Sequence, residues 1–214
     1  MTLYFYGTVS GEETLWVDTG TGYGNWFTDH ASLGGAHTTV AAAGLPTATD
    51  DVVFLSGMVD MGAARTCNTA VFGNTSPAIS ANFSDINYAL ACTNGAAFNN
   101  DSSNDGGTVT GDATFNGGSS NFGTVTGAAT FNDSSYNNYV VTGDATFNDN
   151  SYNNYVVSGN ATFNDYSYNY GGTVTGVVSF SSPSSVLSQL SSGYSPSGSS
   201  VKFPFADILG TGLM

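Results

Sequence analysis

Positive charge is almost missing from this chain of 214 residues: Arg65 and Lys202 stand alone against 16 acidic residues, and the formal net charge is −14. Nucleic-acid binding needs basic side chains to neutralise phosphates, and anionic lipid surfaces attract basic segments. The charge therefore excludes both partners, and neither nucleic acid nor membrane is expected. Cysteine is nearly as scarce. Cys67 and Cys92 fit no metal-ligand spacing and are too few for a disulfide framework. They are expected as buried thiols that pack like small hydrophobes, and repeat alignment sets Cys92 where Val109 falls one coil later. No apolar run is long enough to span a bilayer. Residues 1–7 contain no basic residue and no uninterrupted apolar stretch, so neither a secretory signal nor an anchor is expected.

Catalytic motifs are missing too. There is no Gly-x-Ser-x-Gly, no P-loop and no His-Glu-x-x-His. His30 and His37 lie near Asp18 and Asp29 but lack a third ligand at metal-binding spacing, and read as ordinary loop residues. No enzyme activity and no cofactor is expected. With only 8% of residues charged, solubility rests on Thr, Ser, Asn and Gly, while 14 Phe and 12 Tyr supply apolar surface that a disordered chain lacks.

What the sequence does contain is repetition. One 16-residue unit recurs five times: GTVTGDATFNGGSSNF (107–122), GTVTGAATFNDSSYNN (123–138), YVVTGDATFNDNSYNN (139–154), YVVSGNATFNDYSYNY (155–170) and, after Gly171, GTVTGVVSFSSPSSVL (172–187). A fixed short period means a unit stacked on its own copies. Val109, Gly111, Ala113 and Phe115 share one parity while Thr108, Thr110, Asp112 and Thr114 share the other, which is a strand signature. In the third unit Tyr139, Val141, Gly143, Ala145 and Phe147 extend the inward parity over nine residues. The Asn-Asp pairs after the phenylalanines supply turn chemistry.

The fold class that follows is all-β, a parallel β-solenoid with 16-residue coils. Its perimeter is roughly 50 Å, enough for two or three short strands around a thin core. Phe98, Phe115, Phe131, Phe147, Phe163 and Phe180 are expected to stack, as are Asn116, Asn132, Asn148 and Asn164. The rival is an antiparallel meander of the repeats, which has no need for the same residue at the same place in every unit.

Residues 1–45 fall outside the repeat and read as a β cap or docking head, with strands at Leu3–Tyr6 and Glu13–Val17. Residues 46–106 read as irregular coils marked by Phe54, Phe72, Phe83 and Phe98, and 107–187 as the regular solenoid. Residues 188–214 read as a Ser/Gly linker and an apolar tail. Phe203, Phe205, Ile208, Leu209 and Leu213 of that tail are expected to dock, over the last coil or onto a neighbouring subunit.

Several arrays have chemical potential. Asp112 and Asp144 share a repeat position, as a glycosidase pair on a β-helix face does, but Ala128 and Asn160 fill the equivalent places and the carboxylates read as solubilising charges. The Thr-x-Thr pairs at 108–110, 124–126 and 173–175 suggest an ice-binding array, which Val140 and Val156 interrupt. The Asn-Asp turns offer oxygen ligands but lack the glycine pattern of calcium-binding coils. Tyr136, Tyr152 and Tyr168 form an aromatic file that either packs within the structure or contacts a surface glycan.

The repeat Gly-Asp-Ala-Thr-Phe-Asn-Asp-x-Ser-Tyr-Asn-Asn and the segment Leu45-Pro46-Thr47-Ala48-Thr49-Asp50-Asp51-Val52-Val53-Phe54 resemble those of repetitive β-solenoid proteins of tailed bacteriophages and of microbial surface proteins, over residues 45–187. The resemblance transfers no functional residue. It implies a tail fibre, spike or capsid decoration that associates with itself or other virion proteins. The location implied is the surface of a virion or extracellular particle assembled in the cytoplasm.

Overall fold

The computed structural model describes residues 2–5, 26–27, 46–54, 58–59, 65–75, 78–79, 81–83, 89–192 and 200–202. Each coil lies directly on the previous one, and like strands pair in parallel along three faces. This is the β-solenoid that the period predicts. Among the described residues antiparallel pairing is confined to Trp26–Phe27 on Thr2–Phe5 and to a hairpin of Asn74–Thr75 with Ala78–Ile79.

Each face is named here by what it buries. The Phe sheet has 11 strands, and its central members, such as Ala129–Phe131 and Ala145–Phe147, turn Ala and Phe inward and Thr outward. The Asn sheet has 7 strands, such as Tyr136–Asn137 and Tyr152–Asn153, with Asn inward and Tyr outward. The Val sheet contains Thr124–Val125 and Val156–Val157, linked through the bridges Val125↔Val141 and Val141↔Val157.

Corner chemistry explains the turn residues. Between the Phe and Asn sheets four turns place two successive residues at positive φ, as at Asp149 (51°) and Asn150 (66°), whereas only Asp165 (52°) does so in the next; the turn closes with the Ser151 amide donating to the Asn148 carbonyl at 3.1 Å. This is a type I′ arrangement, which Asn, Asp and Gly tolerate best. Between the Val and Phe sheets the constraint is closeness: a Cβ on Gly143 would sit 2.4 Å from the carbonyl oxygen of Gly127.

The core is a file of rings. Phe54, Phe72, Phe98, Phe115, Phe131, Phe147, Phe163 and Phe180 stack with centroids 4.5–5.4 Å apart. The seven rings of this file from Phe54 to Phe163, plus Phe83, are among the largest fully buried side chains. Burial of each ring contributes about 1.5–3 kcal/mol. The register step is 16 residues from Phe115 to Phe131, Phe147 and Phe163. It grows to 17 at Phe98↔Phe115 and Phe163↔Phe180, where Gly106 (φ 85°) and Gly171 (φ 78°) add a residue to the corner. The hairpin at 74–79 lengthens the coil between Phe72 and Phe98.

Five readings change. Phe83 leaves the Phe series: it lies in the Asn sheet, paired with Asn104, because the hairpin insertion shifts the count. Cys92 is not level with Val109; Leu90 pairs with Val109 and Cys92 pairs with Cys67, two residues further along the same strand. Tyr139 faces solvent at 43% exposure, because it sits in the bend between the Asn and Val sheets and the inward parity resumes only at Val141. Thr2–Phe5, read as outside the repeat, pairs in parallel with Asp51–Phe54 and so continues the Phe sheet over its first coil; the expected strand at 13–17 lies outside the described residues.

The fifth concerns the Ser/Gly linker, whose beginning belongs to a helix, Pro183–Ser192. Its start is a capping box: the Ser185 amide donates to Ser182 Oγ at 3.2 Å and the Ser182 amide to Ser185 Oγ at 3.3 Å, with Pro183 at the first helical position. Ser200–Lys202 then returns to pair in parallel with the Val177–Phe180 strand.

The ring file makes a direct prediction. Phe147→Ala removes one ring from the middle of a continuous stack and is expected to cost about 3–5 kcal/mol, read as a lowered urea midpoint in circular dichroism.

Candidate functional site

The inner wall of the Asn sheet is polar. Asn104, Asn121, Asn137, Asn153 and Asn169 are fully buried, and their amides form a chain in which each Nδ2 donates to the Oδ1 of the next coil at 2.8–2.9 Å. The asparagines expected to stack form a second ladder at the turn, half-buried. There each amide donates to the previous coil instead, from Asn164 to Asn148 and Asn132 (2.7 Å each), on to Asn116 (2.8 Å) and Asn99 (2.9 Å). Sequence reading found the second and missed the first. The signal was the Ser-x-Asn spacing at 102–104, 119–121, 135–137, 151–153 and 167–169, in three of which a central Tyr drew the inward assignment; the thin interior, already filled by Phe and Val, admits the smaller Ser and Asn.

Helix Pro183–Ser192 finishes this wall. Gln189, 3% exposed, accepts a hydrogen bond from the Asn169 amide at 2.8 Å and donates through Nε2 to the Asn169 carbonyl at 3.2 Å. One side chain thus replaces the backbone of a further coil and blocks the sheet edge there.

The tyrosines form the outer wall. Tyr136, Tyr152 and Tyr168 stack with centroids 5.1 and 5.7 Å apart, and beside them Tyr139 and Tyr155 stack at 5.5 Å. Phe122 stands edge-on to Tyr136 at one end, and Tyr170 edge-on to Tyr168 at the other. The ring faces in the three-tyrosine file are therefore turned on one another, and a sugar meets this file through ring edges and hydroxyls. Phe122, Tyr139, Tyr155 and Tyr170 are each at least 40% exposed.

The remaining arrays resolve into structural roles. Asp112 and Asp144 accept hydrogen bonds from the backbone amides of Ala128 (2.8 Å) and Asn160 (2.7 Å) in the following coil, and Asn160 does the same for Val177 at 2.9 Å. They anchor corners as well as carrying charge. The Thr108 and Thr124 positions are in register but Val156 pairs with Thr173, so that column is broken. An unbroken threonine column, Thr114, Thr130, Thr146 and Thr162, runs on the outer Phe sheet instead. Among the described residues no group of three His, Cys, Asp or Glu is placed to hold a metal ion. His30, His37 and the tail residues Phe203, Phe205, Ile208, Leu209 and Leu213 lie outside the described residues; among the described residues no helix is long and apolar enough to cross a membrane.

Comparison with known proteins adds no relative: no family model, no curated protein and no solved structure matches the chain.

Two predictions follow from this geometry. Asn137→Ala strands a buried donor on Asn121 and a buried acceptor on Asn153, each costing about 1–3 kcal/mol. Asn148→Ala, where water reaches the ladder, costs about 1 kcal/mol; guanidinium unfolding of the two variants reads the difference. Burial pushes the Tyr152 hydroxyl up, with Tyr136, Tyr168 and Tyr170 adding to the effect. A raised pKa in the folded state favours the neutral phenol, so this stabilisation is complete below the ordinary tyrosine pKa of about 10 and is lost as pH rises through the folded value. Melting temperature is expected to fall above about pH 10, less so in Tyr152→Phe.

Proposed function

We propose that this chain is a non-enzymatic structural protein of a virus particle, a rigid rod of the tail-fibre, spike or capsid-decoration kind that attaches through its ends. The observation that carries this reading is the investment of the interior in like-on-like stacking: rings on rings and amides on amides, coil after coil. Such a stack resists bending and shear because every coil is hydrogen-bonded to its neighbours along all three faces. Growth by strand addition is blocked on the Asn sheet by Gln189, so docking at that end uses side chains, and Leu187 on the capping helix is 66% exposed there. On this reading the protein resides at the surface of a virion or extracellular particle, and its partners are other virion proteins or its own copies.

A second reading, a cell-surface glycan-binding module, is favoured by the exposed aromatic strip of Phe122, Tyr139, Tyr155 and Tyr170, which is uncharged in a chain of net charge −14. Immunogold labelling of particles released by lysis tests the first reading: decorated particles are expected, and label confined to cell envelopes overturns it. Glycan-array binding by a monodisperse monomer, abolished in Tyr155→Ala, would move the assignment to the second.

A further inference from the structure

Cys67 and Cys92 end adjacent strands, Arg65–Cys67 and Ala89–Cys92, and are register partners in that parallel pair. Both thiols are free and point into the core, at 0% and 5% exposure, and the Cys67 thiol donates to Cys92 Sγ at 3.5 Å. Neighbouring parallel strands run about 4.8 Å apart, inside the Cα window of about 4.4–6.8 Å in which a disulfide closes.

We propose that Cys67 and Cys92 are a disulfide site, oxidised after the protein leaves a reducing cell, that staples the irregular coil to the one above it. The segment it closes carries the strand Thr69–Phe72, the 74–79 hairpin and Phe83, the part of the stack where the period fails. Beyond Cys92 the same corner position is taken by Gly111, whose Cβ would lie 2.7 Å from the Cys92 carbonyl oxygen. A side-chain link between coils at this position is thus confined to the Cys67–Cys92 step, and the regular coils rely on stacking alone.

The chemistry is thiol–disulfide exchange with a low-molecular-weight disulfide such as oxidised glutathione. One cysteine loses its proton and attacks that disulfide, forming a mixed disulfide and releasing one glutathione thiolate. The other cysteine loses its proton and attacks the mixed disulfide, forming the Sγ–Sγ bond and releasing the second glutathione. Two electrons pass from the cysteines to glutathione, and the two protons end on its thiols. The bonded Cys67 thiol and burial push the Cys92 thiol up, so its thiolate is scarce while the coil is closed. Reaction follows local opening, and afterwards the core shields the bond from reductant. Sulfurs now 3.5 Å apart must approach to about 2.05 Å. This inference is independent of the particle reading and holds for any extracellular role.

The test uses the full chain, purified with reductant and then incubated with oxidised glutathione in urea below the unfolding midpoint. Remaining thiols are labelled with N-ethylmaleimide after complete unfolding. Label is expected to fall from both cysteines to neither, with intact mass lower by two hydrogens and a proteolytic fragment joining residues 67 and 92. The melting temperature is expected to rise by roughly 5 °C and to return on reduction. Cys67→Ala and Cys92→Ala should show no such rise. Persistent labelling of both cysteines, linkage only between chains, or an intramolecular bond without a rise in melting temperature would each overturn the proposal. Wild-type labelling decides the matter alone if a variant fails to fold.

Discussion

Everything in this molecule depends on parallel, in-register backbone pairing between one coil and the next. That pairing fixes a repeat of about 4.8 Å along the axis, and any side chain therefore has its own equivalent as its nearest neighbour. Residues that attract their own kind are rewarded five or more times over. Phenylalanine stacks at 4.8 Å on the next phenylalanine, and asparagine donates to the next asparagine. The repetition of the sequence is the consequence, since a substitution in one coil disturbs both of its neighbours.

The same rule punishes like charge. Carboxylates stacked on every coil would repel at one strand spacing, and at the Val-to-Phe corner the chain avoids this by alternation: Asp112, Ala128, Asp144, Asn160. The two carboxylates stand two coils apart, about 10 Å, near the Debye length in physiological salt. Asn160 keeps the backbone hydrogen bond that Asp makes elsewhere without its charge. Carboxylates do recur on three successive coils at the exposed turn, Asp133, Asp149 and Asp165, where solvent screens them; the buried positions carry neutral amides.

The two asparagine ladders also complement each other. The buried one donates toward the C-terminal end and the turn ladder toward the N-terminal end, so their aligned side-chain dipoles oppose. At the C-terminal end the buried ladder closes on itself: Asn169 donates to the Gly172 carbonyl at 2.6 Å, while Gln189 takes over its backbone pairing. Satisfying the last asparagine makes the capping helix part of the core and not an appendage, whereas at the opposite end Asn104 Oδ1 has no partner.

The sequence by itself determined the repeating unit, the parallel stack, the phenylalanine file and the turn ladder, because periodicity and like-on-like identity are local facts that one dimension records. The helix at Pro183–Ser192 was not read from the sequence, because a serine-rich stretch reads as the end of the repeat and a linker. Only the tertiary structure decided which way each face of a two-residue strand points. Parity cannot be carried across a corner, so Tyr139 came out exposed and Asn137 buried. The structure alone also removed Phe83 from the ring file and brought Cys92 onto Cys67. Both depend on how many residues an irregular coil spends in its loops, and that number is set by closure around the core rather than by any local signal.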